Sequence, residues 1–244
     1  MRYAILGDIH ANLAALDAVL EIVGDSQVDQ ILQVGDVVGY GSSPSKCIER
    51  LREQEALVVM GNHDGACTGL VDPRTFNDAA RIAVDYTKSQ LTRKELKWLD
   101  ALPLTLSTDH CTMSHGTLNE PERFDYIQRP EDGDPSFDVL ERPVCFLGHT
   151  HRPVTLMRLH DSPHRTSYTF EAQVDLGDSI AALVNVGSVG QPRDDDPRAA
   201  YAIYDSDKHV VELFRLDYDI EAEADRIVKA GLPKILADRL FLGI

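Results

Sequence analysis

Short apolar runs and segments of helical period alternate through the first 60 residues. Residues 3–6 are apolar and stop at Gly7, as a buried strand does. Asn12 is placed to cap a helix through about Gly24, whose apolar stripe is Leu13, Leu16, Leu20 and Val23. Residues 31–34 predict a second strand, ending at Gly35. Ser43 is then placed to cap a helix opening at Pro44, a residue suited to the first helical position, with Cys47, Ile48 and Leu51 facing inward. Residues 57–60 predict a third strand, ending at Gly61. This βαβαβ order implies parallel strands covered by helices.

The rhythm then changes. Residues 75–101 read as helix in one or two pieces, with Trp98 and Leu99 near the end. Short strands are predicted at 104–107, 111–114 and 144–148, and later ones at 153–159, 167–174, 182–186, 199–205 and 209–216. Residues 161–164 read as a hairpin turn, which makes the second half more antiparallel. Residues 220–230 have an amphipathic helical pattern (Ile220, Ala224, Ile227 and Gly231 on one side), and Leu232-Pro233 opens a last short helix. Residues 117–138 are polar and acidic with three prolines, and read as a long loop. No repeat and no linker divides the chain. The expectation is one α/β domain over 1–244 with two sheets, a core to about 216 and C-terminal helices over about 219–244.

Composition changes this picture in few places. Hydrophobic residues make up 43% of the 244 and charged residues 26%, the balance of a globular chain rather than a disordered one. The formal net charge of −16 disfavours a nucleic-acid polymer or an anionic membrane as partner, because attraction to phosphate arrays needs positive charge. Metal ions in a site can still reverse the sign locally. Cys47, Cys67, Cys111 and Cys145 lie singly, which is neither a disulfide framework nor a zinc ribbon. No run reaches the length of a signal peptide core or a membrane span. A cytoplasmic location is expected.

Chemistry concentrates in five clusters: Gly7-Asp8-Ile9-His10, Gly35-Asp36, Gly61-Asn62-His63-Asp64, Ser114-His115-Gly116 and Gly148-His149-Thr150-His151. Each stands where an apolar strand run stops, and ligands of open α/β sheets bind beyond the carboxyl ends of the strands. Taken singly, Asp8 reads as a turn residue or cap, Asp36 as a turn carboxylate, Asn62 as a turn amide and His115 as a loop histidine. Their joint occurrence at strand ends points instead to metal binding. Asp8 with His10, and His149 with His151, have i, i+2 spacing, which in an extended segment directs both side chains to one place. Carboxylate, amide and imidazole without thiolate suit Mn, Fe, Zn, Ni or Co. Seven candidate ligands (Asp8, His10, Asp36, Asn62, His115, His149 and His151) exceed one tetrahedral ion and suit two ions sharing a carboxylate. His110, His160, His164 and His209 lack such context and read as surface residues.

The ordered motifs D-x-H, G-D, G-N-H-D, H-G and G-H-T-H over residues 7–151 resemble those of the calcineurin-like metallophosphoesterase superfamily, among its small bacterial members. The resemblance implies a four-layer αββα sandwich with two mixed β-sheets. It implies that Asp8, His10, Asp36 and His151 hold one divalent ion, that Asp36, Asn62, His115 and His149 hold the other, and that a hydroxide on the ions attacks phosphorus. His63 would then face the substrate as general acid or transition-state stabiliser. The second block, Gly35-Asp36-Val37-Val38-Gly39-Tyr40, departs from the G-D-x-V-D-R-G of protein phosphatases and symmetrical dinucleoside tetraphosphatases. Gly39 replaces the Asp that partners the histidine, and Tyr40 replaces a phosphate-binding Arg. Asp64 adjoins His63, but neighbouring side chains diverge, so it is not assigned as the partner.

Residues 185–193 (Asn185-Val186-Gly187-Ser188 through Arg193) resemble the N-P-G-S segment of small bacterial members, with Val186 in place of Pro. Arg193 is a candidate phosphate contact, although a pairing with Asp194, Asp195 or Asp196 is the plainer expectation. Tyr40 either lines the pocket or packs. These residues predict a hydrolase for small phosphomonoesters or phosphodiesters. The alternatives are a protein serine/threonine or dinucleoside-polyphosphate phosphatase, and a non-catalytic protein-binding scaffold of the same fold.

Overall fold

The computed structural model describes residues 1–244. The predicted βαβαβ start is present as β1 (Arg2–Leu6), α1 (Leu13–Asp25), β2 (Gln30–Gln33), α2 (Pro44–Glu53) and β3 (Leu57–Val58). The Asn12 side chain accepts the Ala15 N–H at 3.0 Å, which caps α1. Ser43 precedes α2 without a side-chain cap bond, and Pro44 supplies the preset first residue. Next come α3 (Asn62–Thr68), α4 (Asp78–Gln90), α5 (Arg93–Asp100), β4 (Thr105–Ser107), β5 (Thr112–Ser114), α6 (Asp134–Val139) and β6 (Val144–Leu147). The chain ends with β7 (Val154–Leu159), β8 (Ser162–Thr169), β9 (Gln173–Asp175), β10 (Ser179–Asn185), β11 (Ala199–Asp205), β12 (Val210–Leu216), α7 (Ile220–Lys229) and α8 (Lys234–Asp238).

The strands form two mixed six-stranded sheets, ordered β3-β2-β1-β11-β12-β9 and β4-β5-β6-β10-β7-β8. In the first, β1 runs parallel to β2 and antiparallel to β11. In the second, β6 and β10 run parallel at the centre. Alternation along β1 explains the layers. Tyr3 and Ile5 face the second sheet, where Val144, Phe146, Ala182 and Val184 meet them. Ala4 and Leu6 face Leu16, Val19, Ile48 and Leu51 of α1 and α2. On the far side of the second sheet, Cys145, Leu147 and Leu183 pack on Phe137 of α6. The result is the αββα sandwich. All four cysteines are buried free thiols. No helix is long and apolar enough to cross a membrane.

Three local expectations need correction. The Gly61-Asn62-His63-Asp64 block opens α3, an element with no apolar stripe for a periodicity argument to find. The stretch 117–138 is not all loop, because α6 begins at Asp134 beneath the second sheet. The hairpin between β7 and β8 turns at His160-Asp161, so Ser162-Pro163-His164 belongs to β8. As the edge strand of its sheet, β8 tolerates Pro163, whose missing N–H costs no ladder bond there.

Candidate metal centre

The loops following β1, β2, β5 and β6, and the start of α3, converge at one end of the sandwich. Five of the seven candidate ligands have positive φ: Asp8 (42°), His10 (50°), Asp36 (58°), His149 (69°) and His151 (59°). A non-glycine residue in that region costs about 1–3 kcal/mol and persists only where surrounding contacts impose it. Those contacts are long-range. The His10 N–H donates to Asp36 O and the Ala11 N–H to Val37 O, both at 2.9 Å. The His149 N–H donates to the Asp8 carboxylate at 3.0 Å.

These residues are therefore not extended, and the i, i+2 argument holds for only one pair. Asp8 and His10 do meet in one place, with Asp36 and His151. His149 and His151 diverge: His149 joins Asp36 and His115 in a second group. Within each group the potential ligand atoms lie within 4.8 Å of one another. The Asp36 Oδ2 is 3.5 Å from His10 Nε2 and 3.4 Å from His115 Nε2, so its carboxylate sits between the groups. Asn62 Oδ1 completes the second group at 3.2 Å from His115 Nε2.

The donor set fits cations. His10, His115 and His151 each direct Nδ1 to a backbone carbonyl, of Val38 (3.1 Å), Val34 (2.9 Å) and Gln191 (2.6 Å). Donation from Nδ1 leaves the Nε2 lone pair aimed inward. For His10 and His151 the two Nε2 atoms then face each other at 3.2 Å with no hydrogen between them. The His149 Nε2 is buried and has no hydrogen-bond partner at all. Such lone pairs are costly unless a cation takes them.

Electrostatics agree for three of the four histidines. Burial pushes His10, His149 and His151 well below the ordinary imidazole range, the neutral form a metal requires. Burial opposes charge on Asp36, but the neighbouring His115, His63 and His10 outweigh it and hold the carboxyl well below its usual range. Asp8 is pushed up by burial, with the like charge of Asp36 adding to it. Burial would discharge His115, yet the Asp36 carboxylate raises it to about 9.

His63 lies beside this centre with its ring buried. Its backbone N–H donates to Asp36 Oδ1 at 2.8 Å. The ring is wedged between Tyr40 and Phe76, at centroid distances of 4.4 and 4.7 Å, with His10 edge-on at 4.9 Å. Its Nδ1 has no partner. A Cβ at Gly39, whose φ is 91°, would overlap that nitrogen, so a side chain there would require the His63 ring to shift. Packing rather than a carboxylate orients His63, and burial lowers it to about 4.

Asp64 has a different task. Its buried carboxylate accepts the N–H groups of Asp36 (2.8 Å), Val37 (3.3 Å), Val38 (3.1 Å) and Gly61 (3.0 Å). It thereby pins the Asp36 loop to the start of α3. Gly61 is needed there, since a Cβ would strike the Asp36 carboxylate and N–H. Asp64→Ala is expected to lower stability by about 3 kcal/mol or more, because four buried donors lose their acceptor. Urea unfolding of the metal-free protein measures this. A loss under about 1 kcal/mol would show that the loop finds other acceptors.

Arg193 does not pair with its neighbouring acids. Asp194 pairs with Arg215 and Asp196 with Arg198, which overturns that expectation. Its guanidinium turns to the centre, donating to Gln191 Oε1 at 3.0 Å and lying 5.7 Å from the Tyr40 ring centroid. Its Nε is buried without a partner. The loop carrying it is built into the site, as Ser188 donates to Asp8 O at 2.7 Å and Asn185 to Thr150 Oγ1 at 3.0 Å. Sequence reasoning missed Tyr126. From the 117–138 stretch, it stacks on His149 at 3.8 Å with its ring nearly parallel. No strand end or motif marks it. His160, His164 and His209 are exposed, and His110 is half-buried near Tyr3.

Two mixed sheets with a buried carboxylate–imidazole centre at their strand ends define the architecture of the metal-dependent phosphoesterases. The model of the calcineurin-like phosphoesterase superfamily domain matches residues 1–209, and the chain belongs to that family. An uncharacterized protein of Methanocaldococcus jannaschii is 36% identical, over 98% of this chain and 97% of its own. The phosphodiesterase YfcE of Escherichia coli is 25% identical, over 65% of this chain and 73% of its own. The crystal structure of a metallophosphoesterase from Sphaerobacter thermophilus superposes with a TM-score of 0.87 at 37% identity, covering all of both chains.

Proposed function

We propose that this chain hydrolyses small phosphodiesters with two divalent transition-metal ions, one held by Asp8, His10, Asp36 and His151 and the other by Asp36, Asn62, His115 and His149. The observation that carries the reading is the pair of donor groups meeting at Asp36, with unpaired imidazole nitrogens aimed between them. When bound, two such ions supply a nucleophile from water at neutral pH and neutralise the phosphoryl oxygens. The rest falls to side chains. His63 is neutral at pH 7 and offers its remaining ring proton to the oxygen that leaves phosphorus, a bond that strengthens as that oxygen gains charge. Arg193, whose guanidinium turns to the centre, offers a charge-assisted hydrogen bond to a non-bridging oxygen.

A diester is favoured over a monoester because clefts flank the centre on both sides of Tyr126. One, of about 580 Å³, contains Asn62, His63, Tyr40 and Phe76. The other, of about 730 Å³, contains Thr150 and Arg193. A diester carries an organic group for each, and the relative named as a phosphodiesterase supports the same choice. The sequence keeps every candidate ligand and His63, which disfavours the scaffold alternative.

Elemental analysis after reconstitution, with turnover of bis(p-nitrophenyl) phosphate and p-nitrophenyl phosphate, tests this. Two ions per chain and a higher kcat/KM for the diester are expected. One ion or none, or a preference for the monoester, would refute it.

A further inference from the structure

The larger cleft has a composition that diester hydrolysis alone does not require. It opens at Thr150, the residue between His149 and His151, and Arg193 lines its inner end. Tyr126, stacked on His149, forms the wall towards the centre. On the opposite side Tyr168 and Phe170 stand edge to face, 5.6 Å apart, with 57% and 72% of their surface exposed. They lie at the end of the edge strand β8 and beyond any core cluster. The Arg152 guanidinium donates to Arg193 O at 2.6 Å, which brings a second cation to the rim. In a chain of net charge −16, a cleft with these guanidinium groups is a local reversal of sign.

Open aromatic faces and guanidinium groups select a planar aromatic group attached to an anion. An alkyl group would not use the cations, and inorganic phosphate would not use the rings. Base–aromatic stacking tolerates any base. Resting on the diesterase reading, the geometry points to this cleft as a nucleoside subsite: the substrate class is a nucleotide diester whose base lies among Tyr126, Tyr168 and Phe170 and whose phosphate lies at the centre beside Arg193. His63 lines the smaller cleft, so the leaving group lies there and the nucleoside is retained. The oxygen of a water bonds to phosphorus, and the P–O bond to the group in the smaller cleft breaks with its electron pair on the leaving oxygen. That oxygen takes up one proton in place of one the water gives up, and the water's other proton leaves with the phosphate or to solvent. The second product is a nucleoside monophosphate held in the larger cleft.

Two esters with one leaving group test this: thymidine 5′-(p-nitrophenyl phosphate) and methyl p-nitrophenyl phosphate. The wild type is expected to favour the nucleoside ester by about tenfold or more in kcat/KM, mainly through KM. The double variant Tyr168→Ala/Phe170→Ala is expected to remove most of that ratio, and Arg152→Ala part of it. Calorimetry of thymidine 5′-monophosphate with metal-free protein gives a readout independent of turnover, and the double variant is expected to weaken binding about tenfold. A wild-type ratio near one, or a ratio and a nucleotide affinity that the double variant leaves intact, would overturn the subsite. A change in oligomeric state on removing the rings, with nucleotide binding intact, would assign them to a second copy of the chain and equally overturn it. Hydrolysis of neither ester, with nucleotide binding that the double variant loses, would sink the diesterase reading and leave the subsite standing.

Discussion

Asp36→Ala empties both metal positions and stops hydrolysis: that is the largest effect expected of any single substitution. The Asp36 Oδ2 lies 3.5 Å from His10 Nε2 and 3.4 Å from His115 Nε2, so one carboxylate serves both donor groups. Its Oδ1 also receives the His63 N–H, and the same change frees the residue that faces substrate. The loss should exceed the roughly 10–100-fold that follows removal of groups merely supporting a ligand. Asp36→Asn separates charge from packing, since it keeps the volume and an acceptor for His63. Elemental analysis and diester turnover of both variants, with thermal unfolding to show a retained fold, check the assignment. Two ions bound to Asp36→Asn at wild-type affinity would show that the shared carboxylate is not the bridge.

His63→Ala should behave differently. The ring touches Tyr40, Phe76 and His10 but is not needed in either donor group, so both ions are expected to stay. Turnover is expected to fall by about 10²–10⁴-fold. The loss should grow with the basicity of the leaving alcohol, because a hydrogen bond to the departing oxygen gains most when that oxygen carries most charge. A series of aryl and alkyl diesters, assayed in wild type and variant with metal content measured in both, reads this directly. An equal loss across the series would place His63 on the non-bridging oxygens instead. Loss of metal would mean that the division between ligands and His63 is wrong.

Much of the architecture could be read from the chain because its signals are local. The runs at 3–6 and 144–147 are apolar on both faces, and that at 31–34 is so but for the buried Gln33, as strands buried between a second sheet and a helical layer must be. Each stops at a glycine or polar residue where the backbone leaves the sheet. That marks the clusters at Asp8, Asp36 and His149 as strand-end residues in the sequence itself. The α3 helix was not legible, because seven residues that begin with Asn62, His63 and Asp64 of the polar block and continue through Gly65 carry no hydrophobic period.

What the sequence by itself determined is which side chains could bind a cation and that they stand at strand ends. Residue type and the end of an apolar run are properties of a few neighbouring positions. The tertiary structure alone decided how those side chains are shared out. His149 and His151 part company because both have left-handed backbone: the Asp8 carboxylate accepts the His149 N–H, the Arg193 N–H donates to His151 O, and Gln191 O fixes the His151 ring through its Nδ1. Arg193 turns to the centre because Arg215 and Arg198 already occupy the acids beside it. Tyr126 reaches His149 from a stretch with no motif. Each outcome depends on groups distant in sequence, and left-handed conformations that cost energy locally persist only where such distant contacts hold them.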